Sequence, residues 1–415
     1  MAGCASVFEE PYEEIEEVPR AELLPEIEIK DEVVREVVAP TKSYEDLWAR
    51  IRDGFSVPTL RDESAVERVA RRFAADGLIE RIAERSAGYL YYVVDAVDER
   101  ELPMELVLVP FVESGFSLQA ASHAEAHGAW QFIASTARNY EIAIDRFRDD
   151  RRNLVTSTRA ALDYLNTLYG MFGDWHLAMA AYNCGENRVA AEVQRARRRG
   201  VSQPGFSDIA AQLPQETRDY VPRILAVKRV IENPEQYRVN LPAIDNAPQF
   251  SVVEIHRDMD VTLVAKLAGM PTSALLKLNP SLVAPLILGR TNTQLLMPHQ
   301  AAKRLTDSMA SYQGAWVTWR MVRLKRPATP SEIARLNRIS LEHVLMANPL
   351  PPGHFYDVGS TLILPGKGRE SLDDDQSAGA VLVTRAANEC MTLASCVGEG
   401  RQVVPPATVN GLPRR

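Results

Sequence analysis

The chain has 415 residues, too many for one ordinary hydrophobic core, so two or three domains are expected. Its apolar share of 46% and charged share of 25% are typical of globular proteins. The net charge of −8 argues against nucleic-acid binding, because no basic stripe is present to neutralise phosphates. No apolar run approaches the roughly 18 to 20 residues that span a bilayer. The four cysteines lack paired CxxC spacing, so neither a zinc site nor any other cofactor is predicted.

The first six residues resemble the end of a bacterial lipoprotein signal, in which small residues precede a cysteine, here Cys4, that is lipidated. The charged and apolar regions that normally precede such a cysteine are missing, so a chance cysteine is the alternative. Residues 9–36 are acidic and punctuated by prolines, a composition typical of an unfolded tether. Residues 1–42 are therefore predicted to be a truncated lipoprotein start and an acidic disordered tether. Because no aspartate follows Cys4, the resemblance implies a lipid anchor at the periplasmic face of the outer membrane.

Residues 43–241 are predicted to form a mainly helical domain, because apolar residues recur there at helical spacing and alternating strand patterns are nearly absent. A small-residue loop, residues 117–128, interrupts the helices. The predicted helical segments, in chain order, are 44–51, a long amphipathic stretch 65–97, an apolar helix 104–112, 135–140, 157–171, 176–182, 188–198 and 216–231.

The second half of the chain contains a repeat. Residues 264–280 align without gaps to residues 333–349, and both copies end in Asn-Pro. Each copy follows a strand-like run and precedes a short apolar strand that ends at a proline, so the predicted unit is strand, two short helices and strand. The predicted strands are 252–256 and 295–298 in the first copy, and 316–322 and 362–365 in the second. The two modules are placed at residues 250–299 and 315–366.

The remaining segment, residues 367–415, begins with small, polar and acidic residues and is predicted to be mostly disordered. It contains Cys390 and Cys396, which could form a local disulfide in an oxidising compartment. A pair of free thiols is the alternative, and the sequence does not separate the two.

Glu113 is the first candidate for chemistry. It follows an almost uninterrupted apolar helix, so its carboxyl group should lie where the chain leaves a dry core. Desolvation raises the pKa of a carboxyl group and keeps a proton available near neutral pH. Such a group can protonate a glycosidic oxygen as it leaves. Considered alone, Glu113 is better explained as a surface glutamate at a helix end.

Four short stretches of the first domain carry the candidate chemistry. They are Val-Glu-Ser-Gly-Phe at 112–116, Gly-Ala-Trp-Gln at 128–131, Ala-Tyr-Asn-Cys-Gly at 181–185 and Glu-Thr-Arg-Asp-Tyr-Val at 216–221. Taken together, they resemble the signature motifs of the soluble lytic transglycosylase family. The resemblance extends over roughly residues 43–366 and depends on the order of the four motifs, since each alone is weak. It implies a goose-type lysozyme-like fold and cleavage of the glycan strands of bacterial peptidoglycan.

The resemblance also implies residue roles. Glu113 matches the single catalytic acid and base of the family, and the Tyr182–Asn183 pair matches residues that support the acid and contact the muramoyl sugar. The implied reaction forms a 1,6-anhydro-muramoyl end without consuming water. The implied substrate-binding residues are Ser122, Gln131, Tyr182, Asn183, Glu216 and Tyr220.

A second carboxylate would favour another reaction, because most glycosidases use one carboxyl group as acid and another as nucleophile or base. Glu125 and Glu216 are the candidates, so a hydrolytic muramidase stays an alternative. A non-catalytic peptidoglycan-binding lipoprotein with a lysozyme-like scaffold is the other.

Three further features of the sequence are interpreted as structural and not as functional sites. His123 and His127 are four residues apart, but they lie in a loop and lack the HExxH pattern, so no metal site is predicted. Cys184 is predicted to be a buried and unreactive thiol. The basic run at residues 195–199 is predicted to be a solvated helix end, with contact to the anionic cell wall as the alternative.

The two repeats resemble LysM modules, which bind glycans that contain N-acetylglucosamine. The usual Gly-Asp-Thr-Leu opening is degraded: the second copy keeps only Thr329 of residues 327–329, and the first copy has Asp-Met-Asp at 258–260. The fold is predicted to be kept, whereas sugar binding and a purely structural role stay open. The predicted class is thus an α+β multidomain protein, with a mainly α lysozyme-like domain followed by two small βααβ LysM-like modules.

Overall fold

The computed structural model describes residues 12–13, 44–369, 372, 377 and 379–386. The chain divides into two units, residues 27–313 and residues 1–26 with 314–415. The first unit therefore contains both the helical domain and the first module. The finer division into five segments stays a prediction. The first described element, strand β1 (Tyr12–Glu13), belongs to the second unit.

The helical domain begins at α1, and all its predicted helical segments contain helix. The predicted amphipathic stretch 65–97 contains three helices, the first two of which are separated at Gly77, where the backbone is left-handed (φ +58°). The predicted helix 104–112 is a 3₁₀ turn, Met104–Leu108, followed by a short α-helix that has Pro110 in its first turn. The helices are α1 (Leu47–Asp53), α2 (Glu63–Ala75), α3 (Leu78–Ser86), α4 (Leu90–Asp98), α5 (Val109–Glu113), α6 (Ala134–Asn139), α7 (Leu154–Phe172), α8 (Trp175–Cys184), α9 (Glu186–Arg198), α10 (Phe206–Ile209) and α11 (Gln215–Glu232).

Helix α11 organises the core of this domain, because it packs against α2, α5 and α8. Its buried side also holds Lys228, whose ammonium group lies 2.7 Å from the fully buried carboxylate of Glu105. The same carboxylate accepts backbone N–H bonds from Ser56 and Val57. A buried charge is tolerated when it is paired and hydrogen-bonded in this way. The contact of α11 with α5 brings the last motif of the sequence next to Glu113.

The first module has the predicted strand-helix-helix-strand order. Its outer strands β2 (Ser251–Ile255) and β5 (Thr293–Met297) are antiparallel, and β3 (Met259–Asp260) pairs with β4 (Leu286–Ile287). Its helices are α12 (Val261–Leu267), α13 (Thr272–Leu278) and the additional α14 (His299–Ser311).

The second module repeats this order within the other unit. Strand β6 (Val317–Leu324) pairs antiparallel with β8 (Thr361–Arg369), and β1 pairs with the other edge of β6. Thr329 caps the first helix of this module by accepting a hydrogen bond from the Glu332 N–H. The other elements are α15 (Pro330–Asn337), α16 (Leu341–Ala347), β7 (His354–Tyr356) and β9 (Thr384–Ala386).

A buried asparagine holds each repeat together. Asn279 donates to the Leu296 carbonyl and accepts from the Leu296 N–H, at 2.9 and 2.7 Å. Asn348 makes the same two bonds to Ile363, at 2.8 and 2.7 Å. Each amide also donates to the carbonyl four residues before it. The shared Asn-Pro pair thus joins the second helix to the last strand, which confirms the repeat read from the sequence.

Asn279→Ala is expected to lower the free energy of unfolding by about 2–4 kcal/mol, because the substitution removes the side-chain bonds to two buried backbone groups, the Leu296 N–H and carbonyl. Chemical denaturation of the full chain measures this change. The control is Lys277→Ala at an exposed position of α13, where a change of at most about 0.5 kcal/mol is expected. Equal stability of the two variants would contradict the structural role of Asn279.

Two predictions of disorder need correction. The predicted tail 367–415 is ordered in part, since β8 extends to Arg369 and β9 pairs antiparallel with β7. An ion pair of 2.6 Å between Arg385 and Asp357 supports this pairing. In the predicted tether 1–42, β1 is a short strand. Cys4, Cys390 and Cys396 lie outside the described residues.

No single helix among residues 44–369 is long and apolar enough to cross a membrane. The pair α12 and α13 satisfies that criterion only when the two helices are taken together, across a bend of 106°.

Candidate active site

Glu113 is the last residue of α5, at the point where the apolar segment 104–112 ends. Its Oε1 accepts a hydrogen bond of 2.6 Å from the hydroxyl of Tyr220 on α11. Burial raises the pKa of Glu113 to about 7, and the nearby Glu216 carboxylate raises it too, whereas the Tyr220 hydrogen bond opposes the rise. At neutral pH this carboxyl group therefore exists in both protonation states, which suits a group that must donate a proton and then accept one.

Tyr220→Phe removes the hydroxyl that stabilises ionised Glu113, so we expect the pKa of Glu113 to rise further. A bond to a charged group contributes roughly 1.5–3 kcal/mol, so the pKa of Glu113 is expected to rise by about one to two units. The pH dependence of kcat/KM measures it, because the limb set by Glu113 should move to higher pH. Tyr237→Phe, which removes a hydroxyl bonded to Glu67 instead, is the control. An unchanged limb in Tyr220→Phe would show that this hydroxyl does not tune the acid.

The loop at residues 120–131, called here the catalytic loop, carries two predicted site residues. The exposed Ser122 uses its hydroxyl to accept the Ala126 N–H at 3.1 Å, which closes a turn. Gly128 has φ +80°, and a Cβ atom there would lie 1.9 Å from the Arg151 carbonyl oxygen, so only glycine fits. Gln131 is also left-handed (φ 52°), and its Nε2 donates to the Gly128 carbonyl at 2.8 Å.

Two hydrogen bonds to backbone carbonyls of this loop and one from its tryptophan side chain connect the loop to neighbouring helices. Ser114, next to the acid, donates to the Ala129 carbonyl at 2.8 Å. The hydroxyl of Tyr182 on α8 donates to the Trp130 carbonyl at 2.8 Å, and the buried Trp130 indole donates to Thr158 on α7 at 3.0 Å. The first three sequence motifs thus meet at this loop.

The hydroxyl of Tyr182 and the amide oxygen of Asn183 bond to residues other than Glu113, and support of the acid by this pair stays a prediction. The hydroxyl that bonds Glu113 is that of Tyr220, because the Tyr182 hydroxyl is used on the Trp130 carbonyl. Tyr182 is still close enough for the Glu113 charge to raise the pKa of its phenol. Asn183 accepts the Thr217 hydroxyl at its Oδ1, at 2.7 Å, which leaves its NH₂ group as the donor.

The two candidate second carboxylates differ in their relation to Glu113. Glu216 is exposed in the first turn of α11 and acts electrostatically on Glu113. Glu125 is exposed in the catalytic loop, and its charge acts on His127 instead. Of these two carboxylates, Glu216 is thus the one whose charge affects the pKa of Glu113.

A row of aromatic rings lies beside Tyr182, and the sequence did not predict it. Tyr164 lies 5.4 Å from Tyr182 and 5.0 Å from Tyr140, measured between ring centroids, and Phe132 meets Tyr182 edge-on at 6.3 Å. The three tyrosines are partly exposed. Tyr164 and Tyr182 lie on α7 and α8, Tyr140 follows the end of α6, and Phe132 follows the catalytic loop, so no local sequence motif links the four rings.

The other candidates from the sequence, His127, Cys184 and the basic run at residues 195–199, lie in surroundings that are ordinary for a folded protein. His127 receives a 2.8 Å hydrogen bond from Arg152, and burial together with nearby arginines lowers its pKa, so the ring is neutral. Among residues 44–369 no group of three or more His, Cys, Asp or Glu side chains could hold a metal ion. Cys184 is a partly buried free thiol whose pKa is raised by burial. The basic run ends α9, with Arg195 paired to Glu192.

Comparison with known protein families identifies two segments of the chain. Residues 94–203 match the family model of the transglycosylase SLT domain, and residues 249–314 match the LysM-like domain model of lytic transglycosylase MltD. The first match contains Glu113, the catalytic loop and the Tyr182–Asn183 pair. Residues 94–203 therefore belong to the transglycosylase SLT domain family.

Two curated proteins are similar to this chain in sequence. The chain is 37% identical over 268 residues to membrane-bound lytic murein transglycosylase D of Escherichia coli (strain K12), a match that covers 64% of this chain and 58% of that one. It is also 35% identical over 172 residues to a putative tributyltin chloride resistance protein of Alteromonas sp. (strain M-1), covering 41% of this chain and 80% of the relative. The match therefore spans less than two thirds of the E. coli protein.

Two solved structures show partial likeness. The lytic transglycosylase Slt of Pseudomonas aeruginosa, solved as an inactive mutant, has a TM-score of 0.28 at 22% identity, covering 36% of this chain and 24% of that one. The 70 kDa soluble lytic transglycosylase of Escherichia coli has a TM-score of 0.29 at 19% identity, covering 41% and 30%. Because both TM-scores are low, the assignment of the helical domain and the first module rests on the family matches.

Proposed function

We propose that this protein is a lytic transglycosylase that cleaves the β-1,4 bond between N-acetylmuramic acid and N-acetylglucosamine in peptidoglycan. The observation that carries the proposal is a single carboxyl group, Glu113, whose pKa is raised to about 7 in a site of the SLT family. A carboxyl group that keeps its proton at neutral pH can protonate the oxygen of the departing sugar.

The proposed mechanism uses one carboxyl group, that of Glu113, whose pKa is raised to about 7. Glu113 donates its proton to the bridging oxygen, and the C1–O bond breaks while the substrate's own N-acetyl group stabilises the positive charge at C1. Ionised Glu113 then removes the proton of the C6 hydroxyl, whose oxygen bonds to C1. The product is a 1,6-anhydro-muramoyl end, and Glu113 regains its proton. Exclusion of water from the site would favour this intramolecular attack over hydrolysis.

The substrate contacts are part of the proposal. Asn183 offers its NH₂ group to an acetamido carbonyl, because its Oδ1 is occupied by Thr217. Tyr220 acts through Glu113 and orients it. The other proposed binding residues are Ser122, Gln131, Tyr182 and Glu216.

Location in the cell envelope is also proposed, with a lipid on Cys4 as the anchor at the periplasmic face of the outer membrane. The E. coli relative is named a membrane-bound enzyme, and the first residues resemble a lipoprotein start. Cys4 lies outside the described residues, so metabolic labelling with a fatty acid, compared between the natural chain and Cys4→Ser, is the direct test.

Mass spectrometry of purified sacculi digested with the full chain tests the reaction. Anhydro-muropeptides are the expected products. Reducing muramic ends would instead indicate hydrolysis, for which Glu216 is the closest candidate base. No soluble product at all would favour a non-catalytic, peptidoglycan-binding role.

A further inference from the structure

The first module, residues 249–314, is joined to the helical domain by backbone pairing. Residues 147–149 and 281–283 run antiparallel, with Arg148 opposite Leu282. Two N–H···O=C bonds of 2.9 and 3.1 Å connect the segments, one donated from each side, and Val283 is the donor from the module. Backbone pairing of this kind fixes register as well as distance.

Two side chains extend this junction. Arg148 donates to the Thr291 carbonyl of the module at 3.0 Å and lies 3.2 Å from Asp150 of its own loop. Asn153 donates to the Gln294 carbonyl of β5 at 3.0 Å. Both contacts end on backbone atoms of the module, so they depend on its fold and not on the identity of its side chains.

Apolar contacts hold the module in the same place. Leu296 of β5 is 1% exposed and belongs to the core of the helical domain. Phe250, just before β2, packs against Tyr89 and Tyr92 of the helical domain, with ring centroids 6.4 and 5.8 Å away. Burial of these side chains resists separation of the two parts.

The segment that receives the module, residues 145–153, is called here the joint, and its other side holds the catalytic loop. Arg151 is bound by Asp149 through two bonds of 2.8 Å and donates to the Glu125 carbonyl at 2.9 Å. Arg152 donates to the ring of His127 at 2.8 Å. The joint therefore connects the module on one side to the catalytic loop on the other.

We propose that the first LysM-like module positions the active site, because its docking fixes the joint and the joint fixes the catalytic loop, whose Ala129 carbonyl is bonded to Ser114 next to Glu113. This inference rests on the proposed function and deepens it. The module acts through Arg148, Arg151 and Arg152, which are positioning residues and need not touch the substrate. Small displacements of groups around a reacting centre are costly in rate.

The second copy of the repeat lacks this feature. Three residues after the shared Asn-Pro pair, the first copy has Val283 and the second has Pro352. Proline has no N–H to donate, so the second copy could not form the bond that Val283 makes. The pairing is a property of the first module alone.

The experiment compares Val283→Pro and Arg148→Ala with the natural sequence, in the full chain, using release of anhydro-muropeptides as the assay. We expect kcat to fall by about fivefold or more in each variant, with KM within about twofold and binding to sacculi unchanged. Arg148→Lys keeps a cation and a donor, so it should recover part of the lost kcat. Arg290→Ala, at an exposed arginine of the same module, is the control and should leave kcat unchanged.

Three outcomes would overturn the inference. One is an unchanged kcat in both variants. Another is a raised KM with unchanged kcat, which would mean that the module holds the substrate. The third is an Arg148→Lys variant as slow as Arg148→Ala with an equally lowered melting temperature, which would indicate only a loss of stability. Failure of the proposed function would look different, because the natural chain itself would then release no anhydro-product.

Discussion

Glu113→Gln is expected to lower kcat by about 10³-fold, because the amide can neither donate the proton to the glycosidic oxygen nor remove one from the C6 hydroxyl. The same assay of anhydro-muropeptide release measures the loss. The amide keeps the shape of the side chain and can still accept the Tyr220 hydroxyl. Substrate binding should therefore persist, and the variant should still sediment with sacculi.

The same substitution is expected to stabilise the fold at alkaline pH. The folded-state pKa of Glu113 lies near 7, above its usual value of 4.5, so the folded protein holds this proton more tightly than the unfolded chain. Stability from this group is thus complete below pH 4.5 and is lost as pH rises towards 7. Glutamine has no such loss, so Glu113→Gln should gain up to about 3 kcal/mol at pH 8 and nothing at pH 4.

Denaturation at both pH values distinguishes this account from its alternatives. A Glu113→Gln variant that keeps the natural activity would favour a scaffold without catalysis. A variant that is inactive but gains no stability at pH 8 would mean that Glu113 has an ordinary pKa in the folded protein, and the acid-then-base scheme would lose its physical basis.

The sequence predicted the helices and the repeat well because their signals are local. Apolar periodicity over ten or more residues located helices such as α7 and α11, and the gapless alignment placed Asn279 and Asn348 at equivalent sites. The sequence did not show how the stretch 65–97 divides into three helices, because apolar residues keep helical spacing across the breaks, one of which lies at the left-handed Gly77.

The active site was only partly predictable, since its decisive contacts join distant residues. The bond from Tyr220 to Glu113 spans 107 positions, and neither motif shows which hydroxyl reaches the acid. The resemblance placed Tyr182 in the site but not its bond to the Trp130 carbonyl. The joint was missed altogether, because alternating acidic and basic residues at 145–153 look like an ordinary charged loop until the backbone pairs them with residues 281–283.

Gly128→Ala tests how strictly the catalytic loop is fixed by the joint. The new Cβ would lie 1.9 Å from the Arg151 carbonyl oxygen and 2.8 Å from its carbon, and both are backbone atoms that cannot rotate away. The residue would also keep a φ of +80°, which alanine adopts only at a cost. We therefore expect the free energy of unfolding to fall by about 2–4 kcal/mol, from overpacking and backbone strain together.

Activity should fall as well, because the clash can be relieved only by moving the catalytic loop away from the joint. A displacement near 1 Å at Gln131 is expected to lower kcat by about 10²-fold, measured at a temperature where the variant stays folded. The control is Gly170→Ala in α7, where nothing lies within 4 Å of the new Cβ and a gain of about 0.5–1 kcal/mol is expected. If Gly128→Ala matched this control in both stability and kcat, the catalytic loop would be able to move without any loss of stability or activity. Its contacts with the joint would then hold the loop without setting the geometry around Glu113.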